Sequence, residues 1–125
     1  MAIKVKKIQR SNPQNRDEKK WYYTQEKSGS VGFDEMAKAI SERSSHAPSD
    51  VRSILANMVN VMPDFLKLGH TINLEGFGTF RMAVTSDGAV TPEELTTNDI
   101  HNTKLRFLPS IQLKHNLENL VFEGI

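Results

Sequence analysis

The sequence predicts a mixed α+β domain: a basic strand pair, two helices, a three-stranded antiparallel sheet with a long arm, and a short closing helix. Three observations lead there. Apolar residues alternate at period two near the start, recur every three or four residues from Phe33, and return to alternation from Thr71. Glycine and proline punctuate these switches, at Gly29, Pro48, Gly69, Gly76 and Pro109. A chain of 125 residues has room for one core and a small appendage but not for two independent cores.

In the opening segment Ile3 and Val5 alternate with Lys4 and Lys6, which predicts a strand over residues 2–9 with one face covered. Residues 11–20 contain Pro13, Asn12, Asn15 and mixed charge, and read as a loop. Trp21, Tyr22, Tyr23 and Thr24 are strongly strand-prone, so the two runs form a long-looped hairpin. Its aromatics are expected to pack against neighbouring structure; base stacking by Trp21 or Tyr23, beside Lys19 and Lys20, is the less favoured role. Lys27, Ser28, Gly29 and Ser30 read as a linker.

Phe33, Met36, Ala37 and Ile40 predict a first helix over residues 33–44, with Asp34 and Glu35 placed where a helix N-terminus favours negative charge. A second helix opens at Pro48 and carries Val51, Ile54, Leu55, Met58, Val59, Met62, Phe65 and Leu66 on one face. Pro63 should kink it and Gly69 should stop it. Residues 71–74 alternate as a strand, Glu75 and Gly76 turn the chain, and residues 77–84 return. Residues 85–101 form a polar excursion, residues 104–107 a further strand, and Leu113, Leu117, Leu120 and Val121 predict a final helix over 111–121 capped by Ser110.

Composition narrows the function. With 38% apolar and 25% charged residues the chain reads as an ordinary soluble globular protein. The absence of cysteine excludes disulfides, thiolate metal sites and thiol nucleophiles, and fits a reducing, cytoplasmic setting. No apolar run follows the early lysines, so neither an export signal nor a membrane segment is expected. Net charge is +1, but residues 1–30 hold eight Lys/Arg against three Asp/Glu, whereas residues 31–125 hold eight against twelve. A basic head on an acidic body suits either a nucleic-acid-binding arm or a solvated strand edge.

At the hairpin stands Gly76-Phe77-Gly78-Thr79-Phe80, and before the last helix Phe107-Leu108-Pro109-Ser110-Ile111-Gln112-Leu113-Lys114. With these two landmarks in this element order, residues 32–123 resemble the bacterial histone-like family that includes HU and integration host factor. The N-terminal strand pair resembles the extension of some Bacteroidetes-type members. The resemblance divides the chain into a basic strand pair and linker, residues 1–30, and a dimerising DNA-binding domain, residues 31–125.

The resemblance implies an HU/IHF-like intertwined homodimer whose sheets form a saddle with two arms embracing duplex DNA in the cytoplasmic nucleoid. The expected dimer core is Leu55, Met58, Phe65, Phe77, Phe80 and Phe107. Burying each such side chain is worth roughly 1.5–3 kcal/mol, and a lone subunit would leave much of the apolar face wet. Binding is expected through the phosphate backbone, with weak sequence preference and some bending.

This sequence departs from the family pattern. Residues 82–101 contain Asp87, Glu93, Glu94 and Asp99 and no Lys or Arg, so the arm is repelled by a phosphate-lined groove. Pro92 follows a threonine where the family's tip carries Arg-Asn-Pro. Leu108, Ser110 and Gln112 stand where the family commonly has a basic residue, glycine and another basic residue. The expected DNA-binding residues are therefore Arg81, Lys104, Arg106 and Lys114 on the body, with Lys4, Lys6, Lys7, Arg10, Lys19 and Lys20 on the head replacing what the arm lacks.

Enzymatic chemistry finds no support. His46, His70, His101 and His115 are scattered without metal-ligand spacing. Gly76 and Gly78 lie between two strands and do not open a helix, so they do not form a phosphate loop. No metal, cofactor or small-molecule substrate is expected. The alternative function is a dimeric interaction or scaffold module that keeps the fold but has lost DNA binding, its N-terminal strands pairing with another protein's sheet edge.

Overall fold

A computed structural model describes residues 2–125. The chain forms two compact units, residues up to Gly32 together with Leu117–Ile125, and Phe33–Asn116.

The first unit is a three-stranded sheet in the order β2 (Asn15–Gln25), β1 (Ile3–Asn12), β6 (Phe122–Gly124). Strand β1 (Ile3–Asn12) and strand β2 (Asn15–Gln25) are both longer than the sequence predicts, and the connection is tight rather than long-looped. Asn12 pairs with Asn15, so Pro13 and Gln14 alone turn the chain. The Asn12 side-chain oxygen accepts the Gln14 backbone N–H at 3.0 Å, an Asx turn that lets asparagine start the reversal. A bulge beside the turn shifts the register so that Ser11 pairs with Lys19.

The C-terminus overturns a second expectation. Helix α3 spans only Ile111–Asn116, and Asn119 takes a positive φ of 61°. Strand β6 (Phe122–Gly124) then runs parallel to β1, with Ile3 opposite Phe122, Lys4 opposite Glu123 and Val5 opposite Gly124. Leu117, Leu120 and Val121 keep helical spacing, but long-range pairing to β1 overrides it.

The second unit opens with helix α1 (Phe33–Ser41), shorter than the predicted 33–44, and helix α2 (Pro48–Lys67). Asp34 and Arg52 join them by a 2.6 Å ion pair, and Ala37 and Val51, the only buried hydrophobic side chains among the described residues, lie on the two helices. Helix α2 continues through Pro63 and ends at Lys67. Its stop is a Schellman motif: Gly69, at φ 84°, donates to the Leu66 carbonyl, and His70 donates to that of Phe65. The His70 ring meets the Phe65 ring edge-on, closing the motif with the contact it favours.

Strand β3 (Ile72–Leu74), strand β4 (Gly78–Ser86) and strand β5 (Ile100–Pro109) form an antiparallel sheet in that order. Strand β5 starts four residues before the predicted 104. The arm is therefore a ribbon up to Ser86 and Ile100, tipped by short 3₁₀ turns at Pro92–Glu94 and Thr97–Asp99. Phe77, Phe80 and Phe107 come together with ring centroids 4.7–6.2 Å apart.

Gly78 makes the approach of β4 to β5 possible. A Cβ there would collide with the Leu108 carbonyl oxygen and lie 2.7 Å from the Phe107 ring. Gly78→Ala is accordingly expected to destabilise the protein by about 1–3 kcal/mol, the range for overpacking a fitted site. Urea denaturation of the variant beside the parent checks this.

Candidate nucleic-acid interface

Alternation along β4 and β5 sorts the sheet of the second unit into two unlike faces. On one, Phe80 pairs with Phe107, Met82 with Leu105 and Val84 with Thr103, while Ile72 and Leu74 extend the apolar surface onto β3. On the other, Thr79 pairs with Leu108, Arg81 with Arg106 and Ala83 with Lys104. None of these strand residues on the second face is acidic.

The pairing of Arg81 with Arg106 is informative. Like charges directly opposite each other on a sheet are destabilising by some tenths of a kcal/mol, and neither guanidinium forms an ion pair among the described residues. A cleft of 280 Å³ lies here, lined by Thr79, Arg81, Arg106, Phe107 and Leu108. Two forked donors over one cleft can hold an anion such as a phosphate, which removes the repulsion. Lys104 continues the same face toward the arm, and Lys114 is exposed on α3, whose N-terminus is capped by Ser110 Oγ accepting the Leu113 N–H at 3.0 Å.

The head is not one cationic patch. Strand alternation puts Lys4, Lys6, Arg10 and Lys20 on one face of the first sheet, where two of the four pair with carboxylates and a third stands opposite one. Lys6 pairs with Glu26 at 2.9 Å, Lys20 with Glu18 at 3.5 Å, and Lys4 stands opposite Glu123. Arg10 lies 6.0 Å from the Tyr22 ring centroid. Lys7 and Lys19 occupy the other face, where neither forms an ion pair among the described residues, and Lys7 sits 6.0 Å from the Tyr23 ring centroid. The expected packing of the aromatics is not found, because Trp21 and Tyr23 stay largely exposed.

At the arm, Asp87 lies 3.4 Å from His101 and Asp99 accepts the Thr96 N–H at 2.9 Å. Two of the four arm carboxylates thus have local partners, while Glu93 and Glu94 lie in the first 3₁₀ turn. Pro92 opens that turn, and Val90 beside it is 95% exposed.

The apolar candidates separate as well. Helix α2 carries two stripes where the sequence suggests one face. Val51, Leu55, Met62 and Leu66 are buried or half-buried, whereas Ile54, Met58, Val61 and Phe65 are exposed. The exposed four follow spacings of four, three and four residues, the heptad pattern of a helix-pairing seam. Val61 escapes the sequence reading because it lies at the outer edge of the exposed stripe, farthest round the helix from the buried one. Beyond the helix end, a groove of 560 Å³ opens between Pro63 and Leu66 on α2 and Met82, Val84 and Leu105 on the sheet. Phe77 and Phe107 also remain more than 40% exposed despite their mutual packing.

Among the described residues no group of three or more His, Asp or Glu side chains could hold a metal ion, and no helix is long and apolar enough to cross a membrane.

A family model described as an HU domain fused to wHTH, Ig or glycine-rich motif matches residues 1–124. Among solved structures, the Anabaena HU–DNA cocrystal structure is similar with a TM-score of 0.55 and 16% identity, over 71% of this chain and 99% of that one. A putative DNA-binding protein from Bacteroides vulgatus is similar with a TM-score of 0.65 and 9% identity, over 99% of this chain and 48% of that one. At these identities the likeness is one of fold. No curated protein matches the chain.

Proposed function

Since the chain belongs to the family of HU domains fused to wHTH, Ig or glycine-rich motifs, we propose that it is a histone-like, nucleoid-associated protein that binds duplex DNA as a homodimer. Binding runs through the phosphate backbone, with weak sequence preference and modest bending of the duplex. The observation that carries this reading is the acid-free sheet face on which Arg81 stands directly opposite Arg106, with Lys104 beside them. Evenly spaced phosphates suit such a face, and backbone charge carries no sequence information. The HU–DNA cocrystal structure, similar in fold, supports DNA as the ligand.

The second copy covers what one chain leaves open. The exposed seam of Ile54, Met58, Val61 and Phe65 pairs with its counterpart, and the partner fills the groove beside Met82 and Leu105. Leu55, together with Phe77, Phe80 and Phe107, completes the shared core. On the head, Arg10 adds a phosphate contact, whereas Lys6 and Lys20, paired with Glu26 and Glu18, and Lys4, opposite Glu123, add less; Lys7 and Lys19 lie on the other face of that sheet. Lys114 adds an outer contact.

The carboxylates of the arm favour the second reading, a scaffold module of the same fold without DNA affinity. Titration of the full chain against a labelled duplex at two salt concentrations separates the two. The DNA reading requires tight association that weakens steeply as salt rises; no association at low salt supports the scaffold.

A further inference from the structure

Apart from the duplex interface, the first sheet presents a face with its own chemistry. Alternation along β2 brings Lys19, Trp21 and Tyr23 to one side, joined by Lys7 of β1 opposite Tyr23 and by Phe122 of β6 opposite Ile3. Trp21 is 65% exposed, and Tyr23 and Phe122 are 62% exposed. Next to Tyr23 and Phe122 is a recess of 610 Å³ also lined by Ile3, Val5 and Gly124. Gly124 has no side chain to fill it.

Charge is sorted between the two sides of this sheet. On the far side Glu26 and Glu18 pair with Lys6 and Lys20, and Glu123 stands opposite Lys4. The aromatic side holds Lys7 and Lys19 against the one carboxylate of Asp17, so it is net cationic as well as aromatic. Exposed rings at alternate residues of a strand stand about 7 Å apart, enough for flat groups to lie on or between them. Base–aromatic stacking tolerates any sequence, since every base has a π-face. A duplex cannot use these rings, because its bases are stacked on each other inside the helix.

We propose that the Trp21, Tyr23 and Phe122 face of the N-terminal sheet binds single-stranded nucleic acid, its bases stacking on the rings and its phosphates meeting Lys7 and Lys19. This activity is separate from duplex binding by Arg81 and Arg106.

Trp21 is the only tryptophan in the chain, so its fluorescence reports on this face alone. Short oligothymidylate added to the full-length protein should quench that emission saturably, and an equal length of duplex should not. Trp21→Ala and Tyr23→Ala should each weaken oligothymidylate binding about tenfold, with duplex affinity within about twofold of the parent. Trp21→Phe should restore most of the loss by keeping a ring, and circular dichroism should show all three variants folded. The proposal is overturned by an absence of quenching, by equal quenching with duplex, or by binding that survives both alanine variants. It is equally overturned if emission shifts with protein concentration alone, which would put a second copy on this face.

Discussion

Replacing Arg81 and Arg106 together by alanine is expected to weaken duplex binding about 100-fold at moderate salt while leaving the protein as stable as before, or slightly more so. The two effects have one cause. The guanidiniums face each other across β4 and β5 without a carboxylate between them, so in the free protein they repel, and removing them relieves some tenths of a kcal/mol. In the complex both meet phosphate. A dimer loses four such charges, and the slope of log affinity against log salt should become shallower by about 3 to 4. Fluorescence anisotropy over a salt series, with thermal unfolding of the same samples, reads both quantities. Lost affinity with an unchanged slope would mean that these residues do not neutralise phosphate.

The second large effect is expected at the centre of the helix seam. Met58→Asp should convert the protein to a monomer, raising the dimer dissociation constant about a thousandfold, or about 4 kcal/mol. Met58 is exposed on the single chain and lies between Ile54 and Val61, so a carboxylate there meets water in the monomer but is stranded against its counterpart in the pair. Asn60→Asp, on the polar side of the same helix, should leave assembly unchanged. Size-exclusion chromatography with light scattering distinguishes the two variants directly. A dimeric Met58→Asp would place the seam outside the interface.

These expectations depend on different amounts of what the sequence alone discloses. The hairpin of β3 and β4 and the stop of α2 are legible because their signals are local: Gly76 and Gly69 adopt the positive φ that their turns need. The phenylalanine cluster is legible through the family's two landmarks. The β1–β2 turn is obscured because the start of β2, from Asn15 to Lys20, is polar and exposed on both sides, leaving no alternation to read. Strand β6 has three residues whose only claim to strand structure is a partner at the other end of the chain. Its neighbours Leu117, Leu120 and Val121 imitate a helix.

The candidate site follows the same division. Arg81, Lys104 and Arg106 can be picked out as cations on strands, but the direct opposition of the two arginines is a matter of register, which sequence spacing does not give. The head's carboxylate partners escape the sequence for the same reason, since Lys6 and Glu26, twenty positions apart, meet only once β1 and β2 pair. Two stripes on α2 merge into one in the sequence because both are apolar. Only burial separates the side that faces the chain's own fold from the side left open.

That open side bears most directly on the assembly. Ala37 and Val51 are the only hydrophobic core residues buried among those described, too little for a chain of this size to hold itself together. Sedimentation equilibrium of the unaltered protein across a range of concentrations is the most direct measurement. A single species of twice the 14.1 kDa chain mass is expected. A species of 14.1 kDa that persists at every concentration would contradict it.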